Sequence, residues 1–265
     1  MWQLLKAFFE ASKQGGSAAA TARTSQAEEV CIMQAVLGDV RNHNEMQDAR
    51  FWDAWWDDCI SKGEAGRFMF PMLEAPLVKH AGGYYDVANS NALRMDVMAQ
   101  YGLRKILCAG SGISQEPRAL AQAGFDVTAL DLSPKALAVA SAFEPRADDR
   151  LPFCGGVQRP GGQLNFVVGS ILDLTVCPGP FDVIIERRTI SRFREQDRST
   201  ALQALAERLG KVGIFLSHCN DSYRKSEKRF HASEAWFREQ NWAIWDGVPN
   251  STLAGRVAWL VRSAA

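Results

Sequence analysis

The chain carries no net charge: 30 Lys and Arg face 30 Asp and Glu. Without a surplus of either sign there is no overall pull toward nucleic acid or an anionic membrane. Its six cysteines (31, 59, 108, 154, 177 and 219) include no Cys-x-x-Cys pair, and its four histidines (43, 80, 218 and 231) lie far apart. That spacing disfavours a zinc site built from local ligand pairs and fits a reduced, cytoplasmic chain. No stretch approaches the roughly eighteen uninterrupted apolar residues of a transmembrane helix, so no membrane partner is expected. The opening apolar set of Trp2, Leu5, Phe8 and Phe9 is broken by Lys6, Glu10 and Lys13 and has no basic region ahead of it, so no signal peptide is expected. No internal repeat or heptad run is visible, and nothing sets an oligomeric state.

What is present is an ordinary globular composition, 47% hydrophobic and 23% charged, far from that of disordered chains. A length of 265 residues suits one large domain, or one domain with an extension. Residues 1–48 read as helical until 13–17 and again beyond that break, and at 51–58 tryptophans and carboxylates interleave. Residues 77–101 have helical period. From 105 onward short apolar runs alternate with amphipathic stretches: strands at 105–109, 125–130, 165–168, 181–185 and 212–217, helices at 115–123, after a Ser133 cap, at 198–209 and at 233–240. Residues 144–163, rich in Gly and Pro, read as a loop. This alternation requires an α/β fold with a largely parallel sheet covered on both faces. The last two strands, 242–245 and 256–261, are joined by about ten turn-rich residues, too few for a crossover helix, and should pair antiparallel.

The segment from 106 to 140 is the informative one. Gly110 and Gly112 follow the first strand, where glycines let a ligand approach the backbone. A helix begins just beyond them, so its first N–H groups can face an anion. Asp131 ends the second strand and can accept hydrogen bonds from both hydroxyls of a ribose. Strand, turn, helix, strand and acid in this order place a ribose-containing cofactor across the switch point of a doubly wound sheet. Two cofactor classes fit, a nicotinamide or flavin dinucleotide and S-adenosylmethionine. Dinucleotide sites want G-x-G-x-x-G, and the third glycine position holds Gln115.

Gly110-Ser111-Gly112, Asp131-Leu132-Ser133, Val168-Gly169-Ser170-Ile171-Leu172-Asp173 and Phe181-Asp182-Val183-Ile184-Ile185-Glu186 together resemble the class I S-adenosylmethionine-dependent methyltransferases over residues 84–265. The resemblance implies a doubly wound seven-stranded sheet, mostly parallel with a C-terminal antiparallel hairpin, over 77–265. A helical N-terminal extension, 1–76, would act as a lid. It implies S-adenosylmethionine as cofactor, held by Ala109, Gly110, Ser111, Gly112, Asp131, Leu132, Ser170, Ile171 and Tyr84. The family's acid before the first glycine falls on Cys108, its third glycine on Ser114, and its third-motif acid on Ser170, with Asp173 one turn further. The implied contacts to the cofactor are therefore a modified set.

Methyl transfer from an activated sulfonium needs an aligned acceptor and a route for its proton. Glu186, past the fourth strand, and His218, closing the fifth, are the candidate bases; an exposed carboxylate paired with Arg187 or Arg188, and a hydrogen-bonded imidazole, are their structural alternatives. Trp55 and Tyr85 are candidates to line the acceptor site, with core packing as the alternative. Arg187, in a run with Arg188, Arg192, Arg194 and Arg198, either reaches an anionic substrate group or belongs to a solvated helix face. No Asn/Asp-Pro-Pro-aromatic tetrapeptide follows the fourth strand, and no Pro-Cys nucleophile is present, so base and amide-nitrogen methylation are disfavoured. A small-molecule acceptor is expected, with methylation at O, N or S. An NAD(P)-dependent oxidoreductase and a non-catalytic module that kept the fold are the alternatives.

Overall fold

The computed structural model describes residues 48–63, 65, 95–142, 161–218, 234–244 and 257–262. The chain divides into two units, Met1–Asn42 and His43–Ala265, and the described residues all lie in the second. Tyr84, Tyr85, the stretches expected to be helical before residue 48, most of 77–101 and the Gly/Pro-rich stretch at 144–160 fall outside the described residues.

Helix α1 (Ala49–Ser61) begins at Asp48, whose side chain accepts from the Arg50 N–H, and α2 is Met95–Gln100. There follow β1 (Lys105–Ala109), α3 (Glu116–Gln122), β2 (Asp126–Asp131), α4 (Pro134–Ala142) and β3 (Gln163–Val168). Next come β4 (Phe181–Arg187), α5 (Glu195–Ala206), β5 (Leu209–His218), α6 (Glu234–Glu239), β6 (Trp242–Ile244) and β7 (Val257–Arg262). The seven strands form one sheet in the order β3-β2-β1-β4-β5-β7-β6. Strands β1 to β5 pair in parallel, while β7 runs antiparallel to both β5 and β6. The α/β sheet with its antiparallel end is thus the one expected. Its strand order reverses between β1 and β4, which puts a crevice at their carboxyl ends.

The apolar runs predict burial well because the central strands are covered twice. Ile106, Cys108, Val127, Val183, Ile185, Ile214 and Leu216 pack on one face under Met98, Ala119 and Leu120. Leu107, Ala109, Leu130, Ile184 and Phe215 pack on the other under Ala201, Leu202, Leu205 and Phe237. Phe215, Phe237 and Trp242 meet edge to face with centroids 5.5–5.9 Å apart, an arrangement favoured by the ring quadrupoles.

The largest boundary differences from the periodicity reading are in α5 and β5. Helix α5 occupies Glu195–Ala206 instead of 198–209, and β5 begins at Leu209 instead of 212. One cause accounts for both. The Phe181 N–H donates to the Arg208 carbonyl at 2.8 Å, and Phe181 is in register with Leu209. The sheet thereby takes the segment that the helix would have needed. Gly210 and Lys211 interrupt the apolar pattern, which hides the early start of the strand.

Candidate functional site

The turn after β1 is held by one carbonyl of β2 and one acid. The N–H groups of Gly110 and Ser111 both donate to the Leu130 carbonyl, at 2.8 and 3.0 Å. The Gly112 N–H donates to Asp131 Oδ2 at 2.7 Å, and the Ser133 N–H donates to Oδ1 at 2.8 Å. Asp131 is thus fixed at the end of β2 yet remains half-buried, accessible at the crevice. Its carboxyl is held above the ordinary aspartate value, first by burial; backbone hydrogen bonds from Ser133, Gly112 and Leu132 oppose that shift and the nearby Asp53 adds to it. Ser111 Oγ is buried and makes no hydrogen bond among the described residues.

Both glycines are in the left-handed region, at φ +68° for Gly110 and +53° for Gly112, where a side chain is strained. Their missing side chains also make room for the protein itself. A Cβ on Gly110 would overlap the Thr189 side chain, and one on Gly112 would lie 2.8 Å from the Trp56 ring. Thr189 and Trp56 pack into the space that the two glycines leave.

Trp56 belongs to α1, which docks on the start of α4. Ser133 Oγ donates to Asp53 Oδ1 at 2.5 Å and accepts from the Ala136 N–H at 3.0 Å, so the expected cap is formed and is itself held by α1. The Lys135 N–H also donates to Asp53, at 3.3 Å, and the Lys135 ammonium pairs with Asp57. Phe51, Trp52, Trp55 and Trp56 form a run of edge-to-face contacts with centroids 4.5–5.8 Å apart, Trp55 and Trp56 being buried.

On the other side of the crevice, Glu186 is 0% exposed. Its Oε1 accepts from the Ser217 hydroxyl, and its Oε2 accepts the N–H groups of Thr189 and Ile190 at 3.2 Å each. Burial pushes this carboxyl up, against those three hydrogen bonds and the charge of Arg187. The turn that it holds passes through Arg188 at φ +58°, an uncommon conformation for a residue with a side chain. That turn brings Thr189 Oγ1 to 3.3 and 3.4 Å from the carbonyl oxygens of Ala109 and Gly110.

The remaining candidates fall around this frame. Arg187 is in register with His218 of β5, and its guanidinium pairs with Glu116 at 3.4 Å. Elsewhere in the basic run, Arg194 pairs with Asp197 at 2.5 Å, and Arg198 donates to the Phe193 carbonyl at 3.2 Å. Leu132 is half-buried and Ile171 buried at the ends of β2 and β3. Ser170 Oγ accepts from the Leu172 N–H at 3.1 Å, while Asp173 caps the one-turn 3-10 helix Leu174–Val176 by accepting from the Thr175 N–H and hydroxyl. Hydrogen bonding to Thr175 holds the Asp173 carboxyl below its ordinary value. Among the described residues, no group of three His, Cys, Asp or Glu side chains is placed to hold a metal, and no helix is long and apolar enough to cross a membrane.

Fold and register bring Ala109, Gly110, Ser111, Gly112, Asp131 and Glu186 to the β1/β4 switch point. Thr189, Asp53 and Glu116 join them there without having been singled out in the sequence. Only Glu116 had a local signal, an acid in the first turn of a helix that follows a glycine loop; the other two arrive by tertiary approach.

Residues 107–217 match the family model described as a methyltransferase domain. No curated protein matches the chain. Among solved structures, the chain is similar to magnesium protoporphyrin IX methyltransferase from Synechocystis with bound SAM: 16% identity, 73% of this chain and 91% of that one, TM-score 0.44. It is also similar to 1,6-didemethyltoxoflavin-N1-methyltransferase from Burkholderia thailandensis, at 16% identity over 79% of this chain and 85% of that one, TM-score 0.45. A third is a TehB-like SAM-dependent methyltransferase from Corynebacterium glutamicum, at 18% identity over 68% and 94%, TM-score 0.44.

Proposed function

We propose that the chain, whose residues 107–217 match a methyltransferase domain model, is a class I S-adenosylmethionine-dependent methyltransferase that transfers the methyl group to an oxygen, nitrogen or sulfur of a small molecule. One observation carries the choice of cofactor. A dinucleotide places its pyrophosphate on free N–H groups of the glycine turn, and here the N–H groups of Gly110, Ser111 and Gly112 are engaged by Leu130 and Asp131. The position where a dinucleotide site has its third glycine holds a buried Gln115, whose Nε2 donates to the Ile113 and Ala140 carbonyls at 3.3 and 3.4 Å. A turn that offers a carboxylate and no free amide at these three positions suits a ligand with hydroxyls and a positive charge.

The residues fit that ligand. Asp131 is half-buried and preformed to accept the ribose hydroxyls, and the orphaned Ser111 Oγ is a buried polar group ready for a partner. Leu132 and Ile171 supply apolar walls, with Ala109, Ser170 and Tyr84 completing the assigned contacts. When bound, the cofactor supplies an already activated methyl group, so the protein's part is alignment and proton removal. Glu186, sealed from solvent, acts by fixing the Arg188 turn and with it Thr189 over Gly110. His218, at the carboxyl end of β5, is the base candidate, and Trp55, Tyr85 and Arg187 are assigned to the acceptor side. Balanced charge and the absence of base-methylation motifs support a small-molecule acceptor over nucleic acid, and the site is assigned to the cytoplasm.

The test is to identify the ligand released when the purified protein is denatured, and to follow label from methyl-labelled S-adenosylmethionine into pooled small metabolites. Adenosyl-homocysteine in the released fraction and labelled product dependent on His218 are expected. Release of a nicotinamide or flavin nucleotide, or bound cofactor without any transfer, overturns the proposal.

A further inference from the structure

From Arg187 to Arg192 the chain carries three arginines and no acid, although it is neutral overall. Arg187 pairs with Glu116. Arg188 is held at φ +58°, in the left-handed region where the Cβ of a side chain crowds the backbone. Among the described residues Asn241 is the other non-glycine there, and asparagine is a residue type that tolerates this region; a long cationic side chain has no such preference. The turn is kept by its surroundings. Glu186 accepts the Thr189 and Ile190 N–H groups at 3.2 Å each, and the Ser191 hydroxyl donates to the Arg188 carbonyl at 3.0 Å. Glycine would make the same turn without strain, so the strain retains the arginine side chain and points to a use for it.

The turn stands at the mouth of the crevice. Ala109 is in register with Glu186, so Arg187 is level with Gly110, and Arg187 is itself opposite His218. Thr189 packs on Gly110, and Arg188 between the two stands at the same lip. Arg192 reaches that side through helix geometry. Its N–H donates to the Thr189 carbonyl at 2.9 Å in the single 3-10 turn Ile190–Arg192, and residues three apart eclipse in such a turn. Ile190 fills the core beneath, while Arg188 and Arg192 are half-buried. Both arginines also interact within the protein; five donors let one guanidinium hold a protein group and a ligand together.

On the methyl-transfer reading above, on which this rests, we propose that Arg188 and Arg192 bind an oxyanion of the acceptor, a carboxylate or a phosphate, so that the acceptor is an organic anion. A guanidinium fork matches two oxygens of either group, and cations lining a cleft raise the local concentration of anions. Strand β1 separates this lip, on β4, from Asp131 on β2. The arginines therefore hold the acceptor without competing for the acid assigned to the ribose.

The experiment splits a small-metabolite cell extract on an anion exchanger before incubation, and gives each fraction the intact protein and methyl-labelled S-adenosylmethionine. Label should enter the retained, anionic fraction and not the flow-through. Phosphatase treatment of the retained fraction beforehand abolishes labelling if the anion is a phosphate ester and leaves it if the anion is a carboxylate; both agree with the proposal. Arg188→Gly keeps the turn, so S-adenosylhomocysteine affinity should change less than about twofold while labelling falls about 10- to 100-fold, the loss of a charge-assisted hydrogen bond. Arg188→Lys should keep part of the activity, Arg192→Gln should show a smaller fall, and thermal melts check that each variant is folded. Labelling confined to the flow-through, undiminished labelling by Arg188→Gly, or a parallel loss of S-adenosylhomocysteine affinity that makes Arg188 a prop of the glycine turn overturns the proposal and leaves methyl transfer standing. Labelling of neither fraction overturns both.

Discussion

Asp131 and Glu186 stand on neighbouring parts of one sheet edge, at β2 and β4, and burial pushes both carboxyls above ordinary acid values. Each accepts two backbone N–H groups from the turn beside it. Their surroundings separate them. Asp131 stays half-buried, with an acid at its back in Asp53, whereas Glu186 is sealed and has a third donor in Ser217. A carboxylate that shapes a turn and is still reachable can bind a ligand; one that is saturated and unreachable can only shape the turn. Both are carboxylic acids at strand ends, so exposure decides the role.

Removing the sealed acid should have the largest effect. Glu186→Ala leaves the Thr189 and Ile190 N–H groups and the Ser217 hydroxyl without an acceptor, which costs about 3–5 kcal/mol in chemical denaturation. Glu186→Gln should fold well, its amide oxygen accepting both N–H groups and its nitrogen donating to Ser217. The pH dependence separates the two acids further. Because the folded Glu186 carboxyl is raised, its contribution to stability is full at low pH and is lost as pH climbs from about 4.3, the unfolded value, through the folded one. Glu186→Gln should flatten that decline. A variant that keeps the wild-type slope breaks the assignment of Glu186 as the sealed partner.

The glycine turn comes next. Gly110→Ala adds a Cβ at φ +68° into Thr189, costing about 2–4 kcal/mol from left-handed strain and overpacking. Thr189→Ala in the same chain should restore the overpacking share but not the strain. A double variant no more stable than Gly110→Ala shows that Thr189 does not rest on Gly110.

The smallest effect tests the second acid near Asp131. Asp53→Asn keeps an acceptor for the Ser133 hydroxyl and removes a like charge, so Asp131 ionises more easily. The pH below which cofactor binding is lost should fall. An upward shift, or none, disconnects α1 from the pocket.

Much of this was legible in advance, and for identifiable reasons. The parallel core could be read because Ile106, Leu107, Val183 and Ile184 lie on central strands with both faces covered, which turns burial into continuous apolar runs. The span from Gly110 to Asp131 could be read because turn, helix and second strand are consecutive in the chain. Thr189 and Asp53 could not, because neither sits in a periodic or consecutive pattern. One is carried over Gly110 by an Arg188 in a rare backbone conformation, and the other crosses from a helix some 80 positions earlier in the chain. The early start of β5 was hidden for the same reason: pairing with β4, not local pattern, sets it.

The proposed cofactor site depends most directly on the accessible acid, Asp131. Calorimetric titration of S-adenosylhomocysteine into the wild-type chain and into Asp131→Ala at neutral pH measures it. Saturable one-to-one binding by the wild type is expected, weakening at least about a hundredfold in the variant through loss of two hydroxyl hydrogen bonds to a charged acceptor. Equal affinity in the two proteins, or wild-type binding of NADH and not of S-adenosylhomocysteine, contradicts it.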